Sequence, residues 1–325
     1  MNSIKISELW TAGTETIRNS VFFNLLEQIS NKPIIFTNPR KADILFIGPY
    51  NLEKISKRVK SSILRRLNNP SLETFFEKYE KNILFSKNKP LTIFYCHENI
   101  RTDKVKADFS ISYDFSTNNE NHLRFPIWKE NINWSSENIL RKKSFIINRY
   151  GEFYDLKKLQ APLREFNNKK KNMCIFSSHM DEPRKSFYLK LKKYFEIDGY
   201  GPYFDKKIKN HNVSGFYKKD ILKNYFYNLC PHNGIYPGYY EEKVPESYLS
   251  GCIPVTWADN NISTDFNIKA FINLNDSFFK DSKNFVSKMM DDSYLKNFLN
   301  EPLIDYDLNL KKERDFVTRI VKLIS

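Results

Sequence analysis

Glycine is scarce in this chain, 9 residues of 325, while Phe and Tyr number 27 and 19. A chain too diluted to fill a core is thereby excluded, and at 41% hydrophobic content the composition is that of a globular protein. Long apolar runs are missing too: none approaches the ~18 residues a membrane span requires. The first residues, "MNSIKISELW", lack the apolar centre of a secretory signal, so a cytoplasmic protein is expected. Cysteine is rare and dispersed. Cys96, Cys174, Cys230 and Cys252 form no C-x-x-C pair, and three of them begin or end apolar runs, which predicts buried free thiols rather than a metal site. No internal repeat and no RNA- or DNA-binding motif is present.

The chain does carry charge. Its 52 Lys and Arg exceed 38 Asp and Glu by 14, enough to draw it toward nucleotide phosphates, nucleic acid or an acidic membrane. Stretches such as "NNKKKN" and "SKNK" scatter that charge as a compositional bias would. A single-stranded nucleic-acid binder with aromatic stacking residues is the competing class, but the aromatics fall inside apolar core patterns.

Length suggests two domains. In the first half, short apolar runs at 33–37, 42–48, 91–96 and 109–113 alternate with longer polar or amphipathic stretches, and 16–29 spaces Ile17, Val21, Phe22, Leu25, Leu26 and Ile29 as one helix face. After an irregular charged stretch, 156–172, the alternation restarts. Strands are expected at 173–178, 225–230, 252–257 and 270–274, with helices at 183–195 and from Lys243 to Gly251. Pro245 suits the first turn of the latter helix and Gly251 its end. Such alternation predicts an α/β protein of two parallel-sheet, Rossmann-like domains facing a cleft: 1–160, 170–302, and a C-terminal amphipathic helix in 303–325. That last segment places Leu310, Phe316, Ile320, Leu323 and Ile324 near one face. It reads either as a helix packed on the body or as a peripheral contact with anionic membrane.

The segments "NLCPHN" (228–233), "GYYEEK" (238–243), "GCIPVTWAD" (251–259) and "DFNIKAFINLND" (265–276) occur in an order that resembles the α1,3/4-fucosyltransferases. There the signature runs F-E-N, G-Y-x-T-E-K, G-x-I-P-V-x-W-G and D-F-N-P-K-S-F-I-N. "FSSHMDEPRKSFYLKL" (176–191), "YCHENIRTDKVKADFSISYDF" (95–115) and "HLRFPIW" (122–128) extend the resemblance over most of the chain. It implies a GT-B fold, an N-terminal acceptor half and a C-terminal donor half. The implied activity is inverting transfer of L-fucose from GDP-fucose to a GlcNAc hydroxyl, in α1,3 or α1,4 linkage, on a surface glycan such as lipopolysaccharide. A location at the inner face of the cytoplasmic membrane would suit it, with no nucleic-acid partner.

Inverting transfer needs a base for the acceptor proton and positive groups for the charge growing on the diphosphate. Glu98, just past an apolar strand, matches the family's catalytic glutamate; by sequence alone it reads as an exposed loop carboxylate or a partner of Arg101. Arg184, at a helix start, and Lys243, at the next strand-to-helix turn, are the candidate diphosphate pair. Glu242, Asn233 and Tyr239 match donor-pocket positions, and Glu242 reads equally as a helix-start carboxylate. No metal is expected: the D-x-D spacing of Asp305 and Asp307 falls after the second α/β unit. Four departures cluster around the donor positions. Phe226 stands for a common lysine, Pro231 and His232 for Phe-Glu, and Ala258 for glycine. They leave a different GDP-sugar open as the donor, and His232 reads either as a substitute hydrogen-bonding group or as a structural histidine.

Overall fold

Parallel strands need crossover connections, which the polar or helical returns after the short runs of β-branched and aromatic residues supply, and the computed structural model shows two all-parallel sheets among the described residues. It describes residues 3–9, 11, 14–49, 89–115, 119–141, 149–163, 171–205, 217–274, 278 and 280–324. The chain divides into two units that interleave along the sequence. The first takes Met1–Phe125, Glu137–Lys142 and Asn309–Ser325, and the second Pro126–Ser136 and Lys143–Leu308.

The sheet of the first unit contains β1 (Ile4–Leu9), β2 (Ile34–Phe36), β3 (Ile44–Ile47), β4 (Leu91–Tyr95), β5 (Phe109–Ser112) and β6 (His122–Arg124). Their order is β2-β1-β3-β4-β5-β6. The central strands are buried on both faces, with Ile44, Leu45, Phe46, Ile93 and Phe94 fully inaccessible, as the near-continuous apolar runs require. The expected helix over 16–29 is broken in two, Thr14–Arg18 and Val21–Ser30. Ser20 causes the break: its hydroxyl oxygen accepts the Phe23 N–H at 3.0 Å and caps the second helix.

The C-terminal helix, Lys311–Ile324, belongs to this unit and lies against helix Val21–Ser30. Phe316, Val317 and Ile320 are buried, and the Phe316 ring meets Phe22 and Phe109 edge-on at 6.3 and 5.6 Å. The apolar stripe is therefore core. Leu323, expected on that stripe, is 64% exposed instead, and the outward side carries Lys311, Lys312, Asp315, Arg319 and Lys322.

The second unit carries β7 (Lys171–Phe176), β8 (Ile197–Tyr200), β9 (Tyr225–Leu229), β10 (Ile253–Thr256) and β11 (Ile272–Asn273), in the order β11-β10-β9-β7-β8. Met173, Ile175, Leu229, Ile253 and Val255 line the inner faces and pack with Phe187 and Leu191 of helix Arg184–Leu191. Strand order reverses between β7 and β9. In an open parallel sheet the crevice outside the carboxyl ends of the strands at such a switch point is where ligands bind. The two segments leaving that point are Ser177–Arg184 and Cys230–Lys243.

All four cysteines are buried thiols outside any disulfide. Burial pushes the Cys96 and Cys230 thiols up to about 12, which makes them inert packing groups. Among the described residues no helix is long and apolar enough to cross a membrane.

Candidate functional site

Both segments at the switch point are held by their own strands. Beyond β7, the Ser177 N–H donates to the Tyr200 carbonyl at 2.8 Å and its hydroxyl to the His179 carbonyl at 2.5 Å, curling the chain toward the helix start. Arg184, the first residue of that helix, folds back over the curl. Its Nη1 donates to Ser177 Oγ at 3.1 Å and to the His179 carbonyl at 2.7 Å, while Nη2 donates to Asn233 Oδ1. Burial lowers the pKa of Arg184, opposed by the nearby carboxylates Glu241 and Asp181.

Beyond β9 the chain runs through Pro231, His232 and Asn233 and turns at Gly238, whose φ of +93° lies in the left-handed region that glycine adopts without strain. It then enters helix Lys243–Leu249. Ser247 tethers that helix to β9: its hydroxyl accepts from Asn228 Nδ2 at 2.7 Å and donates to the Lys243 carbonyl at 2.6 Å. The helix ends as its sequence demands, with Gly251 at φ +74° returning its N–H to the Tyr248 carbonyl at 2.8 Å. Lys243 at the helix start donates to Asn233 Oδ1 at 3.1 Å, to the Pro231 carbonyl at 3.2 Å and to Glu241 Oε2 at 2.9 Å. Arg184 and Lys243 thus meet on one atom, Asn233 Oδ1.

The residue at the centre of this arrangement escaped the sequence reading. Glu241 is 6% exposed, and its carboxylate collects Asn233 Nδ2 at 2.9 Å, the Asn233 N–H at 3.2 Å, Tyr239 OH at 3.4 Å and Lys243. Burial pushes its pKa upward, but Lys243 and His232 outweigh that and hold the carboxyl well below the ordinary carboxylate range. His232, 2% exposed, brings Nδ1 to 3.3 Å from Glu241 Oε2 and also to 3.3 Å from the Glu241 N–H. Only one of these contacts is a hydrogen bond at a time, because Nδ1 either carries a proton or accepts one. Among the described residues Nε2 is buried without a partner.

The Tyr239 ring is buried, with its hydroxyl on Glu241. Glu242 occupies the N-cap position of the helix without a side-chain cap bond; its carbonyl accepts from Tyr154 OH at 3.4 Å. Phe226 packs against the core of the second unit, so its exchange for lysine is a packing change, and Ala258 is fastened to Asn273 through both its N–H and carbonyl. Glu98 lies in the first unit, exposed in the turn after β4, where its carbonyl accepts from Ile100 N–H at 2.6 Å and from Cys96 Sγ at 3.3 Å. Asp305 and Asp307 are exposed, and among the described residues no group of three or more His, Cys, Asp or Glu gathers for a metal ion.

Residues 166–298 match the model of the C-terminal part of glycosyltransferase family 10 (fucosyltransferase), and residues 53–130 match the N-terminal domain of α-(1,3)-fucosyltransferase FucT. The chain belongs to the fucosyltransferase family. A family member from Helicobacter pylori, α-(1,3)-fucosyltransferase FucT, is 26% identical over 201 residues, covering 57% of this chain and 41% of that protein. The chain thus spans about two fifths of the length of that curated relative. The crystal structure of an α1,3-fucosyltransferase with GDP-fucose superposes with a TM-score of 0.65 at 22% identity, covering 98% of this chain and 90% of that one. A GDP complex gives 0.64 at 21% identity. The chain therefore has the α/β, GT-B fold of those structures, and β7 to β11 with the Arg184–Lys243 site fall in the segment matched by the C-terminal family model.

Proposed function

We propose that this fucosyltransferase-family chain is an inverting glycosyltransferase that moves L-fucose from GDP-fucose to a hydroxyl of GlcNAc in a surface glycan, in α1,3 or α1,4 linkage. The observation that carries the reading is the meeting of Arg184 and Lys243 on Asn233 Oδ1 at the switch point of the second sheet. Two cations brought to one acceptor at the carboxyl ends of parallel strands form a ready site for an anionic bridge such as a diphosphate.

In the reaction, the acceptor hydroxyl oxygen forms a bond to the anomeric carbon as the bond from that carbon to the diphosphate oxygen breaks. Glu98 takes the hydroxyl proton, and the electron pair leaves on the diphosphate, where Arg184 and Lys243 offset its charge. The transition state has oxocarbenium character, as in glycoside hydrolysis. Asn233 and Tyr239 line the donor site, and Glu242 accepts from donor hydroxyls. On this reading residues 1–160 hold the acceptor and 170–302 the donor. Any contact with an anionic membrane surface falls to the outward Lys311, Lys312, Arg319 and Lys322, since the apolar side of their helix is covered.

The test is a donor screen scored by nucleotide release, with GDP-fucose, GDP-mannose and UDP-sugars offered beside a GlcNAc-terminated oligosaccharide. GDP-fucose should turn over fastest. Preference for another GDP-sugar would reassign the sugar to the departures at Pro231 and His232, and turnover of a UDP-sugar alone would overturn the donor.

A further inference from the structure

The two cations of the donor site have separate partners, Ser177 and the His179 carbonyl for Arg184, the Pro231 carbonyl and Glu241 for Lys243, and share one. Both reach Asn233 Oδ1, and Asn233 is aimed by Glu241. A carboxylate can only accept hydrogen bonds, so Glu241 Oε1 at 2.9 Å dictates that the Asn233 amide turns its NH2 inward and its oxygen outward. The oxygen is the one end of that amide to which Arg184 and Lys243 can both donate. The same carboxylate takes Lys243 Nζ directly at 2.9 Å and receives the Asn233 backbone N–H.

We infer that Glu241 is the positioning residue of the diphosphate site: a buried carboxylate that orients Asn233 and anchors Lys243, and so sets where the cations of Lys243 and Arg184 stand for a nucleoside diphosphate. The inference rests on the donor reading above and adds to it a residue that does not touch substrate. A second feature of the site agrees. Relative to the signature it resembles, the chain has His232 in place of a carboxylate and Glu241 in place of a threonine, and the two side chains lie 3.3 Å apart. In this chain the carboxylate of that contact is on Glu241 and the imidazole on His232.

The experiment compares the full chain with Glu241→Gln and with the double variant His232→Glu/Glu241→Thr, which returns the carboxylate to the other side of the contact. Calorimetric titration with GDP and with inorganic pyrophosphate is read beside donor and acceptor KM and thermal midpoints. Glutamine can donate toward Asn233, so its amide loses its fixed sense, and Glu241→Gln should weaken GDP and pyrophosphate alike by about 10-fold or more, the loss that goes with one charge-assisted hydrogen bond. Donor KM should rise in step while acceptor KM holds, and the double variant should recover GDP binding to within about 3-fold of the parent. Unchanged GDP affinity in Glu241→Gln would overturn the inference. So would a loss confined to GDP with pyrophosphate unaffected, or donor and acceptor KM drifting together with the thermal midpoint, which marks a structural group only. A parent chain that binds GDP yet turns over no GDP-sugar defeats the proposed activity alone, and the GDP and pyrophosphate titrations still decide the role of Glu241.

Discussion

A base that accepts a hydroxyl proton has to be open to the acceptor, and Glu98 is exposed in a turn whose backbone is pinned by Cys96 and Ile100. Replacing it with Gln keeps shape and removes basicity. Glu98→Gln should therefore lower kcat by at least ~10²-fold while leaving GDP affinity at the parental value; turnover near the parent's would remove Glu98 from the mechanism. A different carboxylate controls stability. Burial pushes Glu246 up to about 7 in spite of Lys218 Nζ at 2.8 Å, since desolvation outweighs the ion pair. The folded chain then holds a proton that the unfolded chain, with the ordinary value of 4.5, has released, so stability is full below about 4.5 and declines as pH rises to about 7. Glu241 works in the opposite sense, its stabilisation being lost only as pH falls below the ordinary glutamate range. Thermal midpoints of the parent and Glu246→Gln across that window should show the steeper decline in the parent; parallel curves would refute it. The comparison subtracts His122, which burial pushes down in both proteins. Arg184, Lys243, Asn233 and Tyr239 were legible because motif and chain position coincide. Glu241 was not, because a Glu-Glu pair does not say which member turns inward. The signal was there in the charge count: a carboxylate missing at His232 and an additional one at Glu241.

Elements announced by apolar runs were found almost to the residue: β3, β4, β5, β9 and β10 are strands buried on both faces, where periodicity is replaced by continuity. β1, β6 and β8 were missed for the complementary reason. "IKISEL", "HLR" and "IDGY" mix polar residues into edge or half-covered positions, and runs of three to six such residues show no continuous apolar stretch. Gly199 in β8 shows what the pattern hides. A Cβ built there would stand 2.2 Å from the Phe204 ring, which itself packs edge-on against Tyr188 at 5.7 Å. The glycine is thus required by the close approach of an aromatic ring to the strand. Gly199→Ala should cost about 1–3 kcal/mol, the range for overpacking a filled site. Urea unfolding followed by circular dichroism would check it, and a midpoint equal to the parent's would mean the ring moves away freely.

At the scale of the chain, the amphipathic stripe at 310–324 revealed a helix, but a stripe states only that something covers it. The cover proves to be Phe22 and Phe109 of the first unit, drawn from far earlier in the sequence, so the first unit's core is closed by the last residues of the chain. Phe316, Val317 and Ile320 are each at most 2% exposed, and burying side chains of this size is worth about 1.5–3 kcal/mol apiece. That sum is a large part of the ~5–15 kcal/mol that separates a folded domain from its unfolded ensemble. Deleting 309–325 should therefore open the first unit while the second stays folded. Trp128 and Trp134, buried in the second unit, allow the two to be told apart: their emission should remain blue-shifted while amide exchange accelerates in β3 and β4. Protection of Ile44–Ile47 equal to that of the full chain would show that the helix covers the core without holding it closed.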